Sequence, residues 1–598
     1  MRILGISCYY HDAAAAFIQD GELIAAAEEE RFSRKKHDSE FPRLAIQFCL
    51  DQAGITSRDL DYVVFYEKPL LKFERILLTS LQTFPRSFNQ FRRAMSRWLG
   101  SRLWLKSQIQ DLLDVDSARI LFSEHHLSHA ASAFFSSPYS ESAILTLDGV
   151  GEWASTTLGV GRASWDGKGK NEIRSFCEQR FPHSLGLMYS AFTAFLGFEV
   201  NEGEYKVMGM APYGTPRYAD KVWKVIQPAG RGSFRLNMDY FSFHYSSRRS
   251  FSSRFERLFG KPRNPDIPFV LTRGEGQVWQ DALDGEGRHY ADVAASVQLV
   301  TEEVILGLAR ELHARTGLDR LCIAGGIGYN SVANGRVLRE TPFRHIFIQP
   351  AAGDSGGALG AALYAYHVLL QKPRRFVMEH AYWGKSFDGA SIRDAVQRRG
   401  FQPKTFSDER ALVQEAARRL TEGQVVGWYQ GRAEWGPRAL GNRSILADPR
   451  AARMKEVVNR KIKFREPFRP FAPSILDRGI RDVIEHPPDR PLDPARFMLM
   501  VSPIRPNMRA RIPAVTHVDG TGRAQMVEKK ANPLYYELIR AFEDRTGVPA
   551  VLNTSFNLKG EPIVNSPDDA LSTFSRSDMD VVVMGEEMIC KSTSGGLA

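Results

Sequence analysis

Two histidines one helical turn apart are the residues of this sequence with the clearest chemical potential. His125 and His129 lie in SEHHLSHAASAFF, Ser123 to Phe135, and a spacing of four places both imidazoles on one face of a helix. Neutral imidazoles at that spacing can supply two nitrogen ligands to a borderline divalent metal such as iron or zinc. Oxygen ligands would complete the site, and Asp148 and Asp354, each after an apolar strand-like run, are the candidates. The alternative is that both histidines are ordinary surface or capping residues of a helix.

A second group of polar residues, dense in arginine and lysine, lies in the C-terminal third. They stand beside glycine, proline and asparagine, so guanidinium groups, hydroxyls and backbone donors could form a rigid cradle for phosphate oxygens. Surface arginines paired with carboxylates are the alternative, and nucleic-acid backbone is the rival polyanion, although stacking on bases would require exposed aromatic rings. Three separate clusters favour the cradle: Arg432, Arg438 and Arg443; Lys461, Lys463, Arg465 and Arg469; and Asn553, Thr554, Ser555, Asn557 and Lys559.

The elements that must position these residues read as strands with tight turns, followed by helices. RILGISCYY, AAAAFIQ and ELIAAAEEE are three predicted strands, the last two joined by a hairpin turn at Asp20-Gly21. SAILTLDGVGEW and ASTTLGVGR repeat the pattern, which predicts two related α/β lobes. This layout is typical of the actin, sugar-kinase and heat-shock ATPase superfamily, in which the two hairpin turns face nucleotide phosphates.

Two glycine turns between a strand and a helix follow in the second lobe. They lie in LCIAGGIGYNSVANG and in IFIQPAAGDSGGALG. Glycine at such a turn lets backbone N–H groups approach phosphate or adenosine closely. An ordinary strand-to-helix turn is the alternative, but two in succession favour nucleotide binding.

Length and composition indicate a globular protein of several domains. The chain has 598 residues, 43% apolar and 25% charged, which at roughly 100–200 residues per domain suggests about three to five structural units. The five cysteines are scattered without a CxxC pair, which argues against a zinc finger or a disulfide framework and fits a reducing cytosol. The N-terminus lacks the layout of a signal peptide, and the longest apolar run, near Ala358 to Leu370, is too short to span a bilayer. We therefore expect a soluble cytoplasmic protein with no membrane partner.

One segment is strongly basic. Between Arg75 and Gln110 there is no acidic residue, so nucleic acid or a membrane surface could be a partner. A solvated helix face, or a face docked on an acidic neighbour, is the more common explanation, and we do not expect nucleic acid as the partner. The cations are Arg86, Arg92, Arg93, Arg97, Arg102 and Lys106.

Nine long motifs, in order along nearly the whole chain, carry a family resemblance. They are GISCYYHDAAAA, EEERFSRKKHD, HHLSHAASAFF, PHSLGLMYSAFT, NEGEYKVMGMAPYG, AGGIGYNSVANG, GRAEWGPRALGNRSILADPR, KFREPFRPFAPS and NTSFNLKGEPIVNS. They resemble those of the NodU/CmcH family of O-carbamoyltransferases. The N-terminal part of this family is similar to TsaD-like tRNA threonylcarbamoyl transferases of the actin-like fold, and the C-terminal part to YrdC-like domains, which build carbamoyl-type adenylates. The resemblance implies a two-lobed, actin-like α/β domain at 1–370 with a helical insertion near 66–115, a linker at 371–388 and a YrdC-like α/β domain at 389–598.

The resemblance also implies two chemical stages. The C-terminal domain would make carbamoyl adenylate from carbamoyl phosphate and ATP with Mg²⁺, and the N-terminal cleft would transfer the carbamoyl group to a hydroxyl of a small natural product. His11, beside Asp12, matches the family's candidate general base, and a near-neutral intrinsic pKa suits that role; His11 could instead only hold the acceptor. The family's iron site, an HxxxH pair with two aspartates, falls on His125, His129, Asp148 and Asp354, where Fe(II) or another divalent metal would act as a Lewis acid.

Further ligands are implied by the same resemblance. The adenosine side of the N-terminal cleft would be lined by Gly325, Gly326, Asn330 and Gly353. The YrdC-like phosphate grip corresponds to Lys463, Arg465 and Arg469, the nucleotide loop to Asn553, Thr554 and Ser555, and the supporting candidates are Arg438, Arg443, Arg523 and Gln525. Trp435 stands where the family has phenylalanine, a conservative aromatic change.

Several alternatives stay open. A kinase or a carbamoylating maturation factor could use the same fold, although hydrogenase-maturation relatives carry CxxC zinc motifs and simple sugar kinases lack the arginine-rich second domain. A tRNA-modifying transferase would use the basic segment, and a non-enzymatic actin-like platform would not need the histidine pair. The sequence identifies neither the acceptor nor the oligomeric state, and a homodimer is not excluded.

Overall fold

The computed structural model describes residues 1–100, 102–267, 269, 285–466 and 468–591. The chain divides into two compact units. Within the described ranges, no helix combines the length and the apolar character needed to cross a bilayer. The first unit comprises Met1–Glu29, Ser39–Met378 and Asp489–Pro491, and the second comprises Glu30–Asp38, Glu379–Pro488 and the chain from Leu492 onward.

The first unit contains two five-stranded sheets of identical topology. In each, three consecutive strands form an antiparallel meander, and two later strands add in parallel beyond the first strand of the meander. The predicted pair of α/β lobes is therefore confirmed. One sheet contains β1 (Arg2–Ser7), β2 (Ala14–Gln19), β3 (Glu22–Glu28), β4 (Tyr62–Phe65) and β5 (Ile120–Phe122), in the order β3-β2-β1-β4-β5. The other contains β6 (Glu141–Leu147), β7 (Ala154–Arg162), β8 (Glu172–Arg180), β11 (Arg320–Ala324) and β12 (His345–Phe347), in the order β8-β7-β6-β11-β12.

The predicted hairpin between β2 and β3 is present. Asp20 and Gly21 form its turn with φ of +53° and +86°. Two positive φ angles in a row are the signature of the type I′ turn, whose twist matches that of the flanking strands. A separate two-stranded ribbon contains β9 (Ile226–Gly230) and β10 (Ser233–Leu236).

Helices cover these sheets. Three of them, α3 (Pro69–Gln82), α4 (Phe88–Gly100) and α5 (Leu105–Leu113), fall within residues 66–115. The others of the first unit are α2 (Arg43–Ala53), α6 (His125–Phe134), α7 (Leu185–Phe195), α8 (Glu204–Met210), α9 (Ala219–Val225), α10 (Ser253–Phe259), α11 (Gly285–Thr316), α12 (Ser331–Glu340) and α13 (Asp354–Tyr364), which continues as a π-helical turn at Ala365–Leu369.

Helix α13, DSGGALGAALY, packs unusually close to two neighbours. A Cβ built at Gly360 would lie 1.8 Å from the carbonyl oxygen of Ser128 in α6. A Cβ at Gly5 in β1 would lie 1.8 Å from the carbonyl oxygen of Ala358 in α13. Since real Cβ atoms do not approach an oxygen that closely, only glycine at these two positions allows α13 to lie against both α6 and the first sheet. This packing fixes the position of Asp354, the first residue of α13, relative to the histidines of α6.

The second unit is built on an eight-stranded mixed sheet. Its central strands, such as VGWY and VVVM, are wholly buried, as expected for strands covered on both faces. The sheet contains β13 (Lys404–Thr405), β14 (Val426–Tyr429), β15 (Arg443–Ala447), β16 (Ala472–Leu476), β19 (Gln525–Val527), β20 (Ala550–Ser555), β21 (Val581–Met584) and β22 (Glu587–Cys590), in the order β13-β22-β21-β14-β15-β20-β16-β19, and β17 (Ser502–Pro503) pairs with β18 (Thr521–Gly522) outside it.

The helices of the second unit include a short one from the N-terminal part of the chain. In the segment 30–38, Arg31 donates to the carbonyl of Gly436 at 2.7 Å, and Arg34 donates to the carbonyl of Ile563 at 2.7 Å. Residues 371–388 form neither helix nor strand. The helices are α1 (Glu30–Ser33), α14 (Gly389–Arg398), α15 (Glu409–Thr421), α16 (Met454–Val457), continued by a π-helical turn at Val458–Ile462, α17 (Ile480–Val483), α18 (Pro506–Arg509), α19 (Pro533–Thr546) and α20 (Pro567–Ser575).

Candidate functional site

Helix α6 presents the two histidines to a buried space in the first unit. His125 and His129 are 1% and 0% exposed, and their Nε2 atoms lie 3.1 Å apart. The first N–H of the helix, that of His125, is capped by the carboxylate of Glu152 at 3.0 Å. This carboxylate satisfies a backbone donor that would otherwise be buried without a partner. The four-residue spacing therefore produces the converging imidazole pair that the sequence predicts.

Asp148 reaches the pair from the residue that follows β6. Its Oδ2 lies 3.2 Å from Nε2 of His125, and its Oδ1 accepts the backbone N–H of Gly326 at 2.8 Å. The glycine turn after β11 thus orients the carboxylate of Asp148, because β6 and β11 are parallel neighbours that end at the same edge of the sheet.

Asp354 reaches the pair from the other side, at the start of α13. Its Oδ1 lies 3.4 Å from Nε2 of His129 and 3.7 Å from Nε2 of His125. Its Oδ2 accepts a long hydrogen bond from the hydroxyl of Tyr66 at 3.5 Å. Oδ1 is buried and accepts no hydrogen bond of good geometry from the described residues.

The four side chains fit a divalent metal centre. One ligand atom from each of His125, His129, Asp148 and Asp354 lies within 4.8 Å of all the others. Metal–ligand bonds of about 2.1 Å place neighbouring ligand atoms about 3.0–3.4 Å apart in an octahedral or tetrahedral sphere. The observed separations of 3.1 Å between the two Nε2 atoms, 3.2 Å from His125 to Asp148 and 3.4 Å from His129 to Asp354 fall in this range. Two facing imidazole nitrogens and an unsatisfied buried carboxylate oxygen are costly without a cation between them. A set of two nitrogens and two oxygens suits iron, zinc or a similar borderline metal.

A second group of side chains, which sequence reasoning missed, supports these ligands. Glu67 Oε2 lies 3.8 Å from Nδ1 of His125, the ring nitrogen that does not contact the cluster, and forms a salt bridge with Lys72 Nζ at 2.6 Å. Carboxylates in this position orient the ring and raise its basicity as a metal ligand. Tyr66 and Glu67 directly follow β4, which is parallel to β1. Ligand sites gather at the carboxyl ends of parallel strands, so polar residues after β4 were the available signal.

The buried carboxylates control the protonation of the cluster. Burial by itself lowers the pKa of His125, but Asp354, Asp148 and Glu67 outweigh it and raise that pKa well above its usual value. Burial raises the pKa of Asp148, whereas the hydrogen bond from His125 and the charge of His129 bring it well below its usual range. The pKa of His126 shifts in the opposite direction to that of His125. Its Nδ1 lies 2.7 Å from the hydroxyl oxygen of Thr146, and burial, followed by the charges of His125 and His129, lowers its pKa to about 3.

His11 and Asp12 lie in the loop between β1 and β2. Nδ1 of His11 is 2.9 Å from Oδ2 of Asp12, so Nδ1–H donates to the carboxylate and leaves Nε2 as the second nitrogen of the ring. Burial lowers the pKa of His11, but Asp12, Asp354 and Asp148 raise it to about 9. His11 is therefore within the electrostatic influence of Asp148 and Asp354, two members of the cluster.

The residues predicted to line an adenosine site differ in their surroundings. Gly325, with φ of +93°, packs so closely on the carbonyl of Leu147 that a Cβ would lie 2.2 Å from its oxygen. Gly326 adjoins Asp148, and Gly353 immediately precedes Asp354. The side chain of Asn330, by contrast, caps α12 through the N–H of Ala333 at 3.1 Å. The glycines therefore border the cluster, whereas the amide of Asn330 is engaged in local structure.

The second unit holds a separate cationic site. Nζ of Lys463 is buried and donates to the carbonyls of Ser555 and Asn557, both at 2.8 Å. Burial, followed by the charges of Arg465, Arg469 and Lys36, lowers the pKa of Lys463 well below its usual value. Lys36, from the segment 30–38, was not predicted as part of this site.

Two further predicted arginines, Arg438 and Arg523, contribute charge to the same cationic site. Burial, followed by the charges of Arg438 and Arg469, lowers the pKa of Arg523 well below its usual range. Nε of Arg523 is buried and has no hydrogen-bond partner among the described residues. Several like charges thus share a partly buried space, in which a bound anion would relieve their mutual repulsion.

Arg443, Asn553 and Gln525 are engaged in the fold. The guanidinium of Arg443 is fully buried, donates to the carbonyls of Gln430, Asn442, Gly431 and Lys385, and lies 3.8 Å from the ring centroid of Tyr429. Nδ2 of Asn553 donates to Gln525 Oε1 at 3.0 Å, and Gln525 donates to the carbonyl of Leu440 at 2.7 Å. These three side chains join strands and loops of the second unit. The adjoining Ser555 hydroxyl, in contrast, lies 3.3 Å from Lys463 Nζ.

Comparisons with known proteins agree with this division. The family model for the carbamoyltransferase N-terminus matches residues 2–363, and the model for the carbamoyltransferase C-terminus matches residues 417–591. A protein of Synechocystis sp., named uncharacterized protein sll1178, is 45% identical over 626 residues, which cover 99% of this chain and 97% of that protein. Nodulation protein NolNO of Sinorhizobium fredii is 38% identical over 594 residues, which cover 98% of this chain and 80% of that protein.

Two solved structures are similar at a much lower level. Component A of (R)-2-hydroxyglutaryl-CoA dehydratase from Acidaminococcus fermentans is 13% identical with a TM-score of 0.31, over 61% of this chain and 97% of that one. HypF of T. kodakarensis is 14% identical with a TM-score of 0.29, over 62% of this chain and 48% of that one. Neither likeness is strong enough to carry an argument. On the two family matches and the similarity to NolNO, the chain belongs to the carbamoyltransferase family and is a carbamoyltransferase.

Proposed function

We propose that this carbamoyltransferase works in two ATP-dependent stages and carbamoylates a hydroxyl of a small natural product. The observation that carries the proposal is that the two units hold two polar sites of different chemistry. The first unit has a four-ligand cluster beside His11, and the second unit has buried lysine and arginine side chains that repel one another. One site suits acyl transfer and the other suits polyanion chemistry. The five unpaired cysteines fit a reducing cytosol as the place of action.

The first stage takes place in the second unit. Carbamoyl phosphate and ATP, with uptake of one water, yield carbamoyl adenylate, phosphate and pyrophosphate. Lys463, Arg465, Arg469 and Arg523 hold the anionic oxygens of the two substrates, with Mg²⁺ accompanying ATP. Binding relieves the mutual repulsion that, after burial, lowers the pKa values of Lys463 and Arg523. Charge-assisted hydrogen bonds from these groups stabilise negative charge as pyrophosphate leaves.

The second stage takes place in the first unit. The acceptor oxygen attacks the carbamoyl carbon, the bond from this carbon to the phosphate oxygen breaks, and AMP leaves. Nε2 of His11 takes the hydroxyl proton, while Asp12 holds the proton on Nδ1 and orients the ring. Gly325, Gly326 and Gly353 allow the backbone to approach the adenylate closely.

The four ligands would hold a divalent cation, Fe(II) in this proposal. When bound, it supplies a Lewis acid and a positive charge that offsets Asp148 and Asp354. Burial lowers the pKa of His11, but Asp12 and, after it, these two carboxylates raise it to about 9, so offsetting the charges of Asp148 and Asp354 lowers that pKa. Neutral His11 can then accept a proton.

The experiment is to supply ATP with and without carbamoyl phosphate and to separate the nucleotides. We expect pyrophosphate and, in equal amount, AMP that is either bound in carbamoyl adenylate or freed from it by hydrolysis, and only when carbamoyl phosphate is present. Formation of ADP alone would overturn the proposal. Arg460→Ala is a matched control, because Arg460 is exposed and pairs only with Glu456 of its own helix among the described residues.

A further inference from the structure

Arg75 in α3 is a buried cation without a counter-ion. Its side chain is 8% exposed. It forms no hydrogen bond or salt bridge with any described residue, and its Nε is buried without a partner. The guanidinium carbon lies 5.0 Å from the ring centroid of Phe181. Burial lowers the pKa of Arg75 to about 10, although Tyr10, Glu67 and Glu152 oppose the shift. An unpaired buried charge costs free energy, so the fold alone does not account for it.

The two carboxylates whose charges act on Arg75, those of Glu67 and Glu152, are engaged elsewhere. Glu67 forms its salt bridge with Lys72 at 2.6 Å. The carboxylate of Glu152 accepts the backbone N–H groups of His125 at 3.0 Å and of Lys68 at 2.8 Å. Neither carboxylate forms a bond with the guanidinium, so the terminal nitrogens of Arg75 remain available to an anion.

Arg75 lies between two loops that border the transfer site. On one side it is electrostatically coupled to Tyr10, whose ring centroid is 4.8 Å from that of His11. On the other side it stacks on Phe181, whose backbone N–H donates to the carbonyl of Trp153 at 2.8 Å. Trp153 belongs to the turn that follows Asp148. A group bound to Arg75 would therefore lie next to the base and next to the cluster.

Arg102 brings a second cation to the same loop. Its guanidinium carbon is 3.5 Å from the ring centroid of Tyr9, and one of its terminal nitrogens is buried without a hydrogen bond to a described residue. Arg75 and Arg102 come from opposite ends of the basic segment. This segment, whose role the proposed function leaves open, thus delivers two cations to the loop 8–12.

We infer that Arg75, assisted by Arg102, forms a subsite for an anionic group, a carboxylate or a phosphate, on the hydroxyl acceptor. A guanidinium that packs on an aromatic ring can present its terminal N–H groups to two oxygens at once. An acceptor anchored there places its hydroxyl towards His11. The inference rests on the proposed function and adds the chemical class of its acceptor. The phosphate of the adenylate is the other source of the same chemistry.

The test is binding to the full-length protein, measured by calorimetry in the absence of ATP. The probes are D-glucuronate and D-glucose 6-phosphate, with D-glucose as the neutral match and AMP for the adenylate phosphate. The variants are Arg75→Gln, Arg75→Lys and, as the control, Arg93→Gln, since Arg93 is exposed on α4. We expect the wild type to bind at least one anionic sugar more tightly than D-glucose. Arg75→Gln should weaken that binding at least tenfold, Arg75→Lys should weaken it less, and Arg93→Gln should change it less than twofold.

Three outcomes overturn the inference. Neither anionic sugar binds better than D-glucose, or both bind Arg75→Gln as well as the wild type, or Arg75→Gln weakens AMP binding while leaving the sugars unaffected. The last result would assign Arg75 to the adenylate. A cooperative urea-unfolding transition of Arg75→Gln shows that the variant is folded. Absence of carbamoyl-phosphate-dependent pyrophosphate release in the wild type would instead refute the proposed function, and the anion-binding result would still stand.

Discussion

Gly360→Ala should empty the metal-ligand cluster without changing any ligand. The new Cβ would lie 1.8 Å from the carbonyl oxygen of Ser128. To reach 3.0–3.4 Å, the closest range that real Cβ atoms show, α13 and α6 must separate by about 1.2–1.6 Å. Because Asp354 starts α13 and His129 lies on α6, a rigid shift of this size lengthens their 3.4 Å separation to about 4.6–5.0 Å.

That separation exceeds what one cation can bridge. Two ligand atoms with bonds of about 2.1 Å lie at most about 4.2 Å apart, on opposite sides of the ion. We therefore expect metal affinity to fall by more than the roughly 10–100-fold that loss of an outer-shell partner costs. The unfolding free energy should fall by only about 1–3 kcal/mol for the overpacking, partly offset by about 1 kcal/mol from the better helix propensity of alanine.

The assay is metal content and affinity after anaerobic loading with Fe(II) and equilibrium dialysis. Gly307→Ala in α11 is the control, because a Cβ there would meet nothing within 4 Å; it should keep the metal and gain up to about 1 kcal/mol of stability. Carbamoyl-phosphate-dependent pyrophosphate release, which we assign to the second unit, should survive in both variants. Wild-type metal stoichiometry and affinity in Gly360→Ala would refute the reasoning, since the close approach of the two helices would then not set the ligand geometry.

The remaining predictions concern the base, the cationic site and a buried histidine. His11→Ala should keep carbamoyl-phosphate-dependent pyrophosphate release, which reports adenylate formation, and abolish carbamoyl transfer; loss of pyrophosphate release would contradict the division between the units. In the metal-loaded wild type, transfer should increase as pH rises through the pKa of His11, with an apparent value below 9, because His11 must be neutral to accept a proton; a transfer rate that falls over this range would contradict the role. Arg465→Ala should abolish carbamoyl-phosphate-dependent pyrophosphate release while leaving metal content unchanged, whereas Arg460→Ala should change neither quantity. Burial lowers the pKa of His367 to about 4 in the folded protein, whereas the pKa of this histidine in the unfolded chain is about 6.5. Below about pH 6.5 the unfolded chain therefore binds the proton more tightly, and the unfolding free energy falls as the pH falls towards 4. Urea unfolding should show a loss of about 2 kcal/mol from this residue between pH 7.5 and pH 5, and His367→Phe, which keeps the stacking on Phe135 at a ring distance of 4.5 Å in the wild type, should remove that loss.

Local features of the site could be predicted because they depend on short stretches of chain. The spacing of His125 and His129 is a property of one helix, and the turn at Asp20 and Gly21 is a property of one hairpin. In both cases the backbone geometry follows from the residues themselves, so the pattern alone was sufficient. The repeat of strand and turn likewise predicted two α/β lobes, because each lobe forms its own meander.

Other features depend on which side chains the tertiary fold has already engaged. Three predicted ligands have suitable side chains that are hydrogen-bonded within the fold instead. Arg443 donates to backbone carbonyls, Asn553 donates to the side-chain amide of Gln525, and Asn330 caps the N-terminus of α12. Glu67 and Lys36 belong to no motif that marks them as site residues. Only the packing of the chain places Glu67 near His125 and brings the charge of Lys36 close enough to act on Lys463. Residue type cannot distinguish an engaged donor from an available one.

By itself, the sequence determined the family, the histidine pair and the elements that carry each candidate residue. The sequence also named Asp354 as a candidate ligand, but only the tertiary structure brings its carboxylate within 3.4 Å of His129. The reason is the close packing of α13, which two glycines permit: Gly360 against the carbonyl of Ser128, and Gly5 against that of Ala358. Distances between elements far apart in the chain are set by such contacts, and no local spacing encodes them.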